Sequence, residues 1–228
     1  MKSDFYDQYK VIKPWGEEYV IFRKGKKIMV TLLSLKYGKS TSIHCHPNKK
    51  TGFLVLYGKA KVSLGLDMDE CLILNSSDKL MIRNGLFHST TCLSKRGLTL
   101  LEFENPADKD DIVRYKDKYG RKFKPYEKQK KSLKKILKED IIFKIPKNNL
   151  VNQYEINKKI IRIETIKSVR VLKNRPKSEI YAILDGQILD NFDKPVLGPG
   201  DVVKLGTIIK LAKSFNLKKH ISFLRLMN

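Results

Sequence analysis

Apolar positions along the chain come in short, strand-sized runs at even spacing, each closed by turn residues. Tyr19 to Phe22, Ile28 to Leu35, Thr51 to Tyr57, Ala60 to Leu66, Cys71 to Leu74 and Gly97 to Phe103 are such runs. Between them stand turn stretches such as Arg23-Lys24-Gly25-Lys26-Lys27, Pro47-Asn48-Lys49-Lys50 and Gly58-Lys59. A series of this kind, with no long helical period, predicts an all-β fold, a closed antiparallel jelly roll. The period changes once. Glu127 to Glu139 (EKQKKSLKKILKE) places Leu133, Ile136 and Leu137 at helical spacing under a basic surface, which predicts a short helical linker. After Asn149 the strand pattern resumes, with Ile160 to Ile166, Ser168 to Leu172, and Glu179 to Gly186 repeating the spacing of Thr51 to Gly58. The predicted organisation is a first β domain over residues 1–121, a basic helical linker over 122–148, and a second β lobe over 149–228.

The chemistry concentrates between Gly38 and Gly58. Residues of a strand alternate faces, so His44 and His46 point one way and Cys45 the other, with the two imidazoles about 7 Å apart. His88 follows a glycine turn, Arg83-Asn84-Gly85-Leu86-Phe87-His88. Three histidines on neighbouring strands of a small barrel make a candidate metal set: His44, His46 and His88. Neutral imidazoles suit Zn, Fe, Ni, Cu and, less well, Mn. A fourth position left open to substrate or water is the arrangement of a catalytic divalent metal.

Composition narrows the partners. The 228 residues carry 47 Lys and Arg against 24 Asp and Glu, a net charge of +23. The lysines are spread along the whole chain and no recognition helix, finger or aromatic RNA-binding motif accompanies them, so a nucleic-acid partner is not expected. An anionic small molecule, such as a sugar phosphate or sugar nucleotide, is the expected beneficiary of this charge. Cys45, Cys71 and Cys92 form no CxxC and no even set, so no disulfide framework is expected. The apolar runs fall far short of the ~20 residues needed to span a bilayer, and MKSDFYDQYK lacks an apolar signal core. A cytoplasmic protein without a membrane span is the expectation, with a homodimer as its simplest assembly.

Gly38-x5-His44-x-His46, a turn, and the run to Gly58 resemble the first signature of the cupin superfamily, and Arg83 to His88 resembles the second. The first usually carries a glutamate where Thr51 stands, and the second a proline where Arg83 stands. Lys13-Pro14-Trp15-Gly16-Glu17-Glu18 and Asp110-Asp111-Ile112-Val113-Arg114, followed by Asp117 and Tyr119-Gly120-Arg121, resemble the opening and closing segments of the cupin domain of type II mannose-6-phosphate isomerases. That domain is often fused to a mannose-1-phosphate guanylyltransferase, and no nucleotide-binding stretch of that kind is present in this sequence. The resemblance implies a double-stranded β-helix. With Glu179 at the family's glutamate position, but Leu172 and Asn174 where the paired histidines would be, the C-terminal half resembles a degenerate second lobe of a tandem bicupin.

The implied function is a metal-assisted sugar-phosphate or nucleotide-sugar isomerase or epimerase in surface-polysaccharide metabolism. Its ion would polarise a sugar carbonyl and favour an enediolate. The proton carrier is left open among Glu102, Tyr57 and a histidine such as His88, while Lys49, Lys50, Thr51 and Arg83 are the candidate substrate contacts. Two other readings stand beside it. One is a non-catalytic sugar-binding or structural cupin module, and the other a three-histidine iron dioxygenase.

Overall fold

In the computed structural model, which describes residues 5–120, 133–147 and 150–227, the alternation of the first half becomes two sheets sharing a core. The chain divides into two units, 1–142 and 143–228. The strands of the first are β1 (Tyr9–Lys13), β2 (Gly16–Lys24), β3 (Ile28–Leu35), β4 (Ile43–Cys45), β5 (Lys50–Tyr57), β6 (Ala60–Leu64), β7 (Glu70–Leu74), β8 (Lys79–Ile82), β9 (His88–Cys92), β10 (Leu98–Asn105), β11 (Val113–Lys116) and β12 (Leu133–Lys135). A 7-stranded sheet runs β12-β1-β2-β3-β10-β5-β8, and a 5-stranded sheet runs β11-β4-β9-β6-β7. All the pairings are antiparallel.

Leu33, Leu35, Phe53, Val55, Leu98 and Leu100 of the larger sheet pack with Ala60, Val62, Leu74 and Cys92 of the smaller, so the inward faces meet as a jelly roll. Strand β3 reads as a near-continuous apolar run because both its faces are covered. Met29, Leu33 and Leu35 are buried on one face, Leu33 and Leu35 in this core and Met29 in a second cluster with Tyr6, Val11, Val20 and Ala107, while Ile28, Val30 and Leu32 are buried on the other.

One detail differs from the sequence expectation in this unit. Leu133, assigned above to a helix, begins β12, which pairs with β1 through Tyr9↔Lys135 and Val11↔Leu133. Edge pairing with β1, and contact of Leu133 with the Val11 cluster, outweigh the helical spacing. Residues 121–132, the rest of that segment, lie outside the described residues.

The second unit is also β-rich: β13 (Val151–Ile156), β14 (Lys159–Ile166), β15 (Ile180–Leu189), β16 (Pro195–Leu197), β17 (Val202–Lys204) and β18 (Asn216–Leu226), with helix α1 (Leu205–Leu211). They form one 6-stranded sheet rather than two. Helix α1 and the 3-10 turn Val169–Leu172 contribute Leu205, Ile208 and Leu172 to a core on that sheet. The Ser168–Leu172 strand of the sequence reading is therefore a turn, capped by the Ser168 hydroxyl. The repeat itself has a structural counterpart. Gly58 and Gly186 both adopt positive φ, 86° and 75°. A Cβ there would lie 2.4 Å from the Gly97 carbonyl oxygen and 2.0 Å from that of His220, so only glycine fits either turn.

Candidate metal centre

Strand β4 turns His44 inward, and its pairing with β9 sets His44 directly opposite His88. His46 lies one residue beyond β4, where its backbone carbonyl accepts the Gly85 N–H and so ties the first motif to the second. One nitrogen from each ring lies within 4.8 Å of one from each of the others. All three side chains are buried.

Each Nδ1 is committed to a backbone carbonyl: His44 to Ser42 at 2.9 Å, His46 to Asp111 at 2.7 Å and His88 to Leu86 at 3.0 Å. A carbonyl only accepts, so Nδ1 carries the hydrogen in each ring and Nε2 presents a lone pair. Nε2 of His46 and of His88 are buried with no hydrogen-bond partner among the described residues. Buried polar atoms without partners are rare and call for an explanation. Converging imidazole lone pairs fit a divalent cation. Protonation is disfavoured as well. Burial, then the neighbouring His88 and His46, holds His44 well below its ordinary value. Burial and then Lys49 bring His46 down to about 3, and burial brings His88 to about 4.

The opposite wall of this cavity is β10. Glu102 and Glu104 point inward from it, two residues apart, and a ligand oxygen from each comes within 4.8 Å of His46. Glu104 is occupied: the Lys49 ammonium donates to it, Lys109 lies 3.2 Å away, and the Thr31 hydroxyl donates at 3.3 Å. Burial raises its pKa, but Lys109 and Lys49 outweigh burial and hold it well below the usual carboxylate range. Glu102 makes no hydrogen bond or ion pair among the described residues, and burial followed by the Glu104 charge pushes it up to about 8. Lys13 and Lys109 each stand 3.8 Å from Glu18 at the far end of the cavity.

The other sequence candidates are dispersed. Lys49, a candidate substrate contact, lines the cavity as a buried partner of Glu104. Thr51 is buried opposite Glu104, its hydroxyl without a hydrogen-bond partner among the described residues. Lys50, Arg83 and Tyr57 are not part of the cavity wall, and Arg83 is exposed. Tyr57 stands four residues beyond Phe53, roughly 13 Å along the strand. Sequence reasoning missed Glu104, Lys109, Lys13 and Glu18. The signal available was Glu102-Phe103-Glu104, an i, i+2 charged pair in an otherwise apolar strand, the same alternation that singled out His44 and His46.

A two-sheet jelly roll with three inward histidines at the mouth of adjacent strands defines a cupin. More particularly, a family model described as the C-terminal domain of mannose-6-phosphate isomerase matches residues 2–117, and the chain belongs to that family. Xanthan biosynthesis protein XanB of Xanthomonas campestris pv. campestris (strain B100) is 32% identical over 114 residues, 49% of this chain and 24% of that protein. Mannose-1-phosphate guanylyltransferase ManC of Salmonella typhimurium is 28% identical over 114 residues, 49% of this chain and 23% of ManC. The chain thus spans about a quarter of the length of these relatives. Among solved structures, KdgF from Halomonas sp. overlaps 45% of this chain and 90% of its own, at 17% identity and a TM-score of 0.40. The capsular polysaccharide assembling protein CapF of Staphylococcus aureus overlaps 50% of this chain and 33% of its own, at 20% identity and a TM-score of 0.43.

Proposed function

We propose that the first unit is a divalent-metal site that isomerises or epimerises an anionic sugar, phosphate- or nucleotide-linked, in polysaccharide precursor metabolism. The observation that carries this reading is the convergence of one ring nitrogen from each of three buried histidines whose Nδ1 atoms all donate to backbone carbonyls. A divalent ion there supplies Lewis-acid polarisation of a carbonyl oxygen. The chain's own groups handle orientation and the proton. Glu102 lines the cavity and is the carboxyl on that wall able to hold or release a proton near neutrality, which general acid–base work at a carbon beside a carbonyl requires. Arg114 is the partly exposed cation of the wall, and we assign it the substrate's anionic group in place of Lys50 and Arg83.

A second reading, a sugar-binding or structural module, is favoured by size. The enclosed cavity is about 60 Å³, against the ~300–1,000 Å³ of sites that engulf a small molecule. The isomerase reading therefore requires the sugar to lie at the mouth, beside Thr41, Ile112 and Arg114, with only its reacting end inside.

Metal analysis of the purified protein followed by a screen of sugar phosphates and nucleotide sugars separates the two. The expected result is one bound divalent ion and turnover of an anionic sugar, with both lost in His46→Ala. Turnover that persists in His46→Ala at the wild-type rate, or no sugar phosphate bound at millimolar concentration, would overturn it.

A further inference from the structure

We propose that the outer face of the 5-stranded sheet carries a second site, an open groove that binds a short acidic oligosaccharide. The proposal does not depend on the metal reading. His44 and His88 occupy the inner face of this sheet, and alternate residues of the same strands face outward. On β6, Ala60 and Val62 enter the core, which leaves Lys61 and Ser63 outside; on β9 the outward positions are Ser89 and Thr91. Strand pairing sets Ser63 directly opposite Ser89 and Lys61 opposite Thr91, and Thr91 is bridged in turn to Ser40. The result is a floor of hydroxyl groups held in register.

This floor is recessed. Ser40 and Ser89 are only 6% and 8% exposed, although they line the outside of the barrel. Met68 and the segment Tyr115 to Lys118 complete the lining, and the groove measures about 600 Å³. That volume falls within the ~300–1,000 Å³ usual for small-molecule sites, which the histidine cavity does not reach.

The lining defines the ligand's chemistry. Hydroxyl groups both donate and accept, as those of a sugar do. The hydroxyls of Ser40, Ser63 and Thr91 make no hydrogen bond among the described residues, so they are available to a ligand. Cations stand at both edges, Lys61 on β6 and Lys116 with Lys118 at β11. The order β11-β4-β9-β6 sets those edges three strand spacings apart, roughly 14 Å. Lys61 and Lys118 have no ion pair among the described residues. Asp117, the one carboxylate among the described lining residues, accepts the Tyr119 backbone N–H at 3.1 Å. Tyr115, held edge-on by Phe87 with ring centres 6.0 Å apart, adds an aromatic surface for the C–H face of a sugar. A single-stranded nucleic acid matches less well. It calls for cations along its backbone and a series of stacking rings, whereas this groove has cations at its edges and one ring.

The test is titration of the whole chain with short uronate-bearing and phosphate-bearing oligosaccharides, their neutral counterparts, and oligouridylate. The expected result is binding of an acidic oligosaccharide in preference to its neutral counterpart, with the two acidic sets showing which anionic group is read. Lys61→Gln/Lys118→Gln changes two solvent-accessible side chains and is expected to fold as the wild type does, while weakening that binding at least about tenfold. Ser63→Ala/Thr91→Val should weaken acidic and neutral oligosaccharides alike. His46→Ala should bind as the wild type does. The proposal is overturned if no acidic oligosaccharide binds at millimolar concentration, or if both groove variants bind as the wild type does. Loss of binding in His46→Ala would also overturn it, placing the sugar at the histidines instead. Oligouridylate binding more tightly than every oligosaccharide would overturn it in favour of a nucleic-acid surface.

Discussion

Each imidazole of the centre is fixed by the bond at its far nitrogen, and the consequence is thermodynamic as well as geometric. With burial the first cause of all three depressed pKa values, the folded metal-free protein keeps these rings neutral where the unfolded chain would protonate them. A depressed folded value means stability is intact above the unfolded pKa near 6.5 and is lost as pH falls toward the folded value. For His88, the move from 6.5 to about 4 amounts to about 3 kcal/mol at ~1.4 kcal/mol per unit. The metal-free protein is therefore expected to lose thermal stability steeply between about pH 6.5 and 4. His88→Asn should show a shallower fall over the same window, which calorimetry at several pH values would read; identical slopes would refute the burial account. The i, i+2 spacing made His44 and His46 legible in the sequence. Their carbonyl partners were not, because Asp111 lies 65 positions from His46 and reaches it only through the pairing of β11 with β4. The burial of Lys49 was not legible for a related reason. A lysine in a turn reads as solvated until strand β10, 55 positions on, is seen to place Glu104 against it.

At the scale of elements, the Asp110 to Arg114 segment acts as the brace of the histidine strand. The Asp111 carboxylate accepts the backbone N–H of Asn48 at 3.1 Å, the Asn48 side-chain amide at 2.9 Å and the backbone N–H of Lys49 at 3.1 Å. Its carbonyl receives the His46 ring. One residue thus holds the turn after β4, the start of β5 and the orientation of a ligand. Asp111→Ala should leave those donors unpaired and cost about 1–3 kcal/mol for each that stays buried. It should also weaken divalent-metal binding, because the carbonyl loses its anchor and second-shell losses typically run ~10–100-fold. Thermal unfolding and metal titration on the same variant test both halves, and wild-type values in either would refute the brace. The strand set of the first unit was legible because its apolar runs are strand-sized and its turns carry Gly, Pro and Asn. Strand β12 was not, since three residues at a sheet edge hold too little pattern to compete with a helical spacing of leucines.

At the scale of the whole chain, the two halves repeat a strand-and-glycine turn but diverge in what they set beside it. The first half leaves nitrogen lone pairs and a carboxyl facing a cavity. In the second, Glu179 is clamped by Arg225 through bonds of 2.6 and 2.8 Å and by the Tyr181 hydroxyl at 3.1 Å. Arg175 holds Glu164 through bonds of 2.5 and 2.8 Å, and Arg225 comes within 3.9 Å of the same carboxylate. Where a metal would satisfy buried carboxylates, two guanidinium groups already do so, and no histidine hydrogen-bonds Glu179 among the described residues. His220 is paired with Asp185 at 3.0 Å, away from that cluster's hydrogen bonds. Bidentate arginine–carboxylate pairs are among the stronger charge-assisted contacts, and a divalent ion would have to displace one to enter. We therefore expect one divalent ion per chain, not two. Elemental analysis of the metal-loaded protein should give a ratio near one, falling to zero in His46→Ala. Arg225→Met should lower thermal stability, since it strips Glu179 of its counterion, while leaving the ratio at one. A ratio near two in the wild type would show that the second unit keeps a site of its own, and would refute the view that arginine has replaced metal there.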